Sequence, residues 1–165
     1  MDIYLIRHAI AASRDFDQWP DDRDRPLTPK GEQQFRRAAR GLGKIVPRVD
    51  QVFSSPLERA WRTAEILRAE LDWPQPAAWP QLEPDRSPQQ VVLALGPHAS
   101  VDAVALVGHE PGLSELFSFL LAGPHARADV EMKKGGVARL EVDGAPQAGA
   151  ATLKWLLPPK VLRAL

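Results

Sequence analysis

Two short runs, Ile3-Tyr4-Leu5-Ile6 and Ala103-Val104-Ala105-Leu106-Val107, consist entirely of apolar and aromatic residues. A strand with one face in water alternates apolar and polar residues. A run without alternation must be covered on both faces, and helices on either side of a parallel sheet are the usual way to do that. The segments between the runs fit this demand. Thr28-Pro29 is a helix start, with a hydroxyl cap and a proline where a missing N–H costs nothing. That helix is expected to extend to Ile45-Val46 and stop at Pro47. Gln51–Ser55 reads as a strand, Leu57–Leu71 as a helix and Ala77–Trp79 as a short strand. Ser87-Pro88 repeats the cap-then-proline signal and opens a helix to Leu95, closed by Gly96. Gly112–Leu121 reads as a helix, and Val137–Val142 and Thr152–Leu157 as a hairpin-like strand pair.

Strands alternating with helices predict an α/β fold, and the last pair makes the largely parallel sheet mixed. The chain has 165 residues, enough for one domain spanning 1–165 with its own core. Twenty-one basic residues balance twenty-one acidic ones, which argues against nucleic-acid binding driven by bulk charge. With no cysteine, thiolate nucleophiles and cysteine metal sites are excluded. The chain starts without a signal-peptide pattern, and no apolar run reaches the roughly 18 residues of a membrane span. A soluble, cytoplasmic protein is expected.

In an open parallel sheet, ligands bind beyond the carboxyl ends of the strands. Arg7-His8 ends the first apolar run. Ser54-Ser55 ends the second strand, Arg59 lies just inside the next helix, and His109 follows the Ala103–Val107 strand. If the strands are parallel, two arginines and two histidines converge on one edge. Guanidinium forks and helix N-termini suit a phosphoryl group. A histidine held among cations is biased toward its neutral, nucleophilic form.

LIRHA at 5–9, SSPLERAWRTAE at 54–65 and VGHEPGLS at 107–114 resemble the three signature segments of the histidine phosphatase superfamily. RPLTPKG at 25–31 and the ending LKWLLPPKVLRAL are similar to the small phosphohistidine phosphatases of the SixA type. The resemblance covers essentially the whole chain. It implies a phosphoglycerate mutase-like fold: a three-layer α/β/α sandwich around a mixed, largely parallel sheet. It implies His8 as nucleophile, Arg7, Arg59 and His109 as the phosphate clamp, and no metal or organic cofactor. The partner it implies is a phosphohistidine-bearing protein. A small-molecule phosphomonoesterase is the nearest alternative, and a non-catalytic phosphate- or phosphoprotein-binding module the alternative of another class.

Three points stand apart. The superfamily usually has glycine after the nucleophile, whereas this chain has Ala9, which is tolerable only at negative φ with room for the methyl. Glu83, Asp85 and Glu110, in that order, are candidates for the acid that protonates the leaving group; a solvated loop carboxylate is the alternative for each. The polar loop 11–26 alternates aspartates with arginines, and Arg25 either lines the pocket entrance or pairs with Asp22 or Asp24. With no inserted cap the pocket is expected to be open, with that loop as a partial lid.

Overall fold

The computed structural model describes all 165 residues. Six strands form one sheet: β1 (Asp2–Arg7), β2 (Gln51–Ser54), β3 (Ala77–Ala78), β4 (Ala103–Gly108), β5 (Val137–Val142) and β6 (Ala151–Leu157). Their order is β3-β2-β4-β1-β5-β6. The first four run parallel, β5 pairs antiparallel with β1, and β6 antiparallel with β5. The helices are α1 (Pro29–Gly43), α2 (Glu58–Leu71), α3 (Pro88–Leu95), α4 (Gly112–Ala122) and α5 (Pro159–Leu162). None is long and apolar enough to cross a membrane.

The unbroken apolar runs are buried on both faces, as their composition demands. Tyr4 and Ile6 of β1 join Ala105 and Val107 of β4 in a core with α1, α2 and Leu162 of α5. Ile3 and Leu5 join Val104 and Leu106 in a second core with α3, α4 and Met132. The three-layer α/β/α sandwich with its mixed, mainly parallel sheet is therefore as the sequence predicts.

The helix starts follow their caps. Thr28 Oγ1 accepts from Gly31 N at 2.9 Å, and Ser87 with Gln90 completes a reciprocal capping box. Boundaries differ in places. α1 ends at Gly43, ahead of Pro47, as Lys44 N and Ile45 N turn back to carbonyls three residues earlier. Gly96 has φ −48° and leads into a single 3-10 turn, Gly96–His98, rather than a left-handed stop. α5 was not legible in the sequence; a Cβ on Gly41 would lie 1.7 Å from the Leu162 carbonyl oxygen, so only glycine lets α5 dock there.

Candidate active site

The sheet register assembles the site. Arg7, the last residue of β1, pairs with Gly108 of β4, and Ser54 of β2 pairs with Val107. The ladder then continues one residue further: His8 N donates to Gly108 O at 3.0 Å and Ser55 N to Val107 O at 2.9 Å. His8, Ser55 and His109 consequently leave the sheet at one level. The two imidazoles face each other with ring centroids 5.1 Å apart and planes tilted by 53°. Arg59 comes from the first turn of α2, whose start is set by Leu57 N donating to Ser55 Oγ at 3.3 Å.

Each group is held by atoms outside the centre. His8 Nδ1–H donates to the Ala9 carbonyl at 2.7 Å. A carbonyl can only accept, so in the neutral ring the proton is on Nδ1 and the lone pair on Nε2. His109 Nε2 lies 2.8 Å from Ser55 Oγ. Arg7 Nη1 donates to Met132 O at 2.6 Å. Arg59 Nη1 donates to Asp22 O at 2.8 Å, and Nη2 meets Asp22 Oδ2 at 3.0 Å. What remains are three buried nitrogens with no protein partner: Nε of Arg7 and Nε of Arg59, both donors, and Nδ1 of His109, a donor when Nε2 accepts from Ser55. A buried donor left unpaired costs about 1–3 kcal/mol. Native folds seldom keep several in one place unless a ligand uses them.

The electrostatics match. Burial pushes His8 down to about 3, helped by Arg59, Arg7 and Lys134 and opposed by its bond to Ala9. Burial also pushes His109 down to about 2, with His8 and Arg59 adding to the effect. Both rings are neutral near pH 7.

The site is more enclosed than an uncapped pocket suggests: His8 is only 6% and His109 5% exposed. A single 3-10 turn, Asp22–Asp24, is tied to both sides of the site. Asp22 pairs with Arg59, and with Arg25 at 2.7 Å and Arg14 at 3.4 Å. Burial raises the Asp22 carboxyl, but the hydrogen bonds from Arg25 and Arg14 and the charge of Arg59 outweigh it and hold it at about 2. Arg23 donates to both Glu83 oxygens, at 2.7 and 3.4 Å.

The model of the histidine phosphatase superfamily, branch 1, matches residues 3–83. An uncharacterized protein of Picosynechococcus sp. is 36% identical over 96% of this chain and the whole of that protein. The solved structure of the protein histidine phosphatase SixA complexed with tungstate superposes with a TM-score of 0.84, at 26% identity, over 98% of this chain and 99% of the other. A SixA candidate from Nakamurella multipartitia gives a TM-score of 0.77 at 26% identity, over 96% and 95% of the two chains.

The chain belongs to the histidine phosphatase superfamily.

This histidine phosphatase has the phosphoglycerate mutase-like sheet expected of it. Arg7, His8, Arg59 and His109 come together at one sheet edge. The three carboxylates do not share one environment. Glu83 lines a small crevice with His109 and Gly112, but is bound by Arg23. Asp85 is exposed, at φ +66°. Glu110 accepts from Ser114 and from Met132 N. Ala9 is buried at 2% exposure and is not among the positive-φ residues, so its methyl packs into the core without backbone strain. Arg25 pairs with Asp22, one of the two partners read for it in the sequence.

Beyond the hold of Asp22 on Arg59, sequence reasoning missed two supports. Thr63 Oγ1 donates to Arg59 O at 2.7 Å and accepts from Ala9 N at 3.0 Å, joining α2 to the residue after His8. A threonine four residues beyond Arg59, on the buried side of its helix, was the available signal. The Met132 carbonyl had no signal, because any residue type could supply it.

Proposed function

We propose that this chain is a metal-independent phosphatase that removes the phosphoryl group from phosphohistidine on a protein, by way of a covalent phosphohistidine on His8. The observation that carries this reading is a neutral His8 with its Nε2 lone pair free, beside two buried unpartnered arginine donors and the unpartnered Nδ1 of His109. His8 Nε2 attacks phosphorus; the bond between phosphorus and the substrate imidazole breaks, and that imidazole takes up a proton. Water then attacks the phosphorus on His8, the P–Nε2 bond breaks, and inorganic phosphate leaves. Arg7, Arg59 and His109 donate to the equatorial oxygens, where charge spreads in the transition state. For His109 to donate through Nδ1, Ser55 O–H must donate to Nε2, which the 2.8 Å spacing allows.

Two guanidinium groups supply the positive charge and the neutral His109 ring a further N–H donor, so the scheme needs no metal. Glu83 is the proposed proton donor, since it alone of the three carboxylates shares a crevice with His109. Its engagement by Arg23 favours a leaving group that needs little help. Imidazole departing from phosphorus is such a group, more so than an alkoxide. The relation to a protein histidine phosphatase that binds tungstate, a tetrahedral oxyanion, supports the same reading.

The test is phosphate release from a phosphohistidine-bearing protein and from an aryl phosphate, side by side, with and without chelator. Preference for phosphohistidine, unaffected by chelator, is expected. Preference for the ester makes the chain a small-molecule phosphomonoesterase. Tight phosphate binding with no release makes it a binding module, and metal-dependent activity refutes the metal-free scheme.

A further inference from the structure

Glu110 follows His109 directly, which made it a candidate acid, yet both of its oxygens are engaged. Oε2 accepts from Ser114 N at 3.1 Å and from Ser114 Oγ at 2.6 Å. Oε1 accepts from Met132 N at 3.3 Å. The Met132 side chain is fully buried in the core under α4. Its carbonyl accepts from Arg7 Nη1 at 2.6 Å, the one protein hydrogen bond of that guanidinium. Residue 132 lies outside helix and strand, so no ladder fixes the direction of its carbonyl. What fixes it is the carboxylate on its N–H, the buried side chain, and the return to β1, where Gly135 N donates to Arg7 O at 3.1 Å and Arg7 N to Gly136 O at 3.1 Å.

We infer that Glu110 is a positioning residue for Arg7, acting through the Met132 peptide, and not a proton donor. This rests on the proposed role of Arg7 in holding the phosphoryl group. An arginine that grips by its Nη1 and leaves Nε for the ligand needs its anchor at a fixed place; a loop carbonyl free to turn would let the fork rotate. Clamp geometry matters because both donors must meet oxygens of one phosphoryl group. Glu110 also caps the start of α4, where a carboxylate is favoured by the unpaired N–H groups and the helix dipole. The cap fixes the carboxylate, and the carboxylate in turn fixes Met132.

The experiment separates the two roles by measuring tungstate affinity calorimetrically, together with urea midpoints. Glu110→Ala removes both the cap and the Met132 bond. Ser114→Ala removes the hydroxyl from the cap and leaves the Met132 bond. Glu110→Ala is expected to weaken tungstate binding by about tenfold, and Ser114→Ala by less than about twofold. In an Arg7→Ala background, Glu110→Ala is expected to cost less than about twofold, because the residue it positions is gone. Glu110→Gln, of the same shape but one acceptor short, is expected to fall between wild type and Glu110→Ala, and serves if the alanine variant does not fold. Wild-type affinity in Glu110→Ala or Glu110→Gln overturns the inference, as does an undiminished loss in the Arg7→Ala background. Wild-type affinity in Arg7→Ala alone overturns the proposed clamp instead.

Discussion

Replacing His8 with alanine is expected to abolish turnover while the urea midpoint stays at or above that of wild type. Near-normal phosphate release from that variant would remove His8 from the reaction. The expectation about stability follows from the cost of burying the ring. An unfolded histidine titrates near 6.5, whereas folded His8 titrates near 3 and His109 near 2. Between those limits the unfolded chain binds more protons, so stability falls as pH drops from about 6.5 toward 3, by up to about 1.4 kcal/mol per pH unit for each ring. Asp22 acts in the same direction over a lower window: its folded value near 2 lies below the ordinary 3.8, so its contribution is lost as pH falls through that range. Urea midpoints at pH 7 and 4.5 are expected to differ much less in the His8→Ala/His109→Ala variant than in wild type; equal drops would contradict the burial effect. Glu83→Gln is expected to slow aryl phosphate hydrolysis several-fold more than phosphoramidate hydrolysis, and equal slowing would remove the leaving-group argument. At this scale much of the site was legible, because Arg7, His8, Arg59 and His109 stand beside strand ends that the apolar pattern marks. Their supports were not, because Met132 acts through its carbonyl and Asp22 reaches Arg59 across a loop.

The loop after β1 is the element whose behaviour the sequence described least. Alternating aspartates and arginines announced ion pairs, Arg25 with Asp22 among them, but not the contacts that tie the loop to the rest of the molecule. The structure resolves this into two contacts of the Asp22–Asp24 turn, Asp22 with Arg59 on α2 and Arg23 with Glu83 after β3. Exposed ion pairs contribute little each, and Arg23 is half exposed, so the pair on the buried Arg59 should dominate. Asp22→Ala is therefore expected to speed amide exchange across residues 13–25 while β1 and β4 stay protected. Arg23→Ala should do so less. Unchanged exchange in Asp22→Ala would show that the turn is held by something else. Elsewhere the helices declared themselves through their caps, as at Thr28 and Ser87. α5 did not, because Pro158-Pro159 reads equally as a stop and as a first turn. Only the docking of Leu162 against Gly41 decides it.

For the whole molecule, the class of fold was readable and the order of strands was not. Two apolar runs demand a sheet covered on both faces, yet nothing in their periodicity says that β4 lies between β1 and β2. That order makes the site: β4 delivers His109 between His8 from β1 and Ser55 from β2, and the antiparallel β5 closes the other flank of β1. The central claim is that phosphorus passes through His8. The most direct measurement is rapid quenching of the enzyme mixed with a ³²P-labelled phosphohistidine protein, followed by mapping of the acid-labile, base-stable label. A label that forms and decays at a rate consistent with turnover, lies on His8 and is absent from His8→Ala is predicted. Phosphate release at full rate with no label on the enzyme at any time would contradict it.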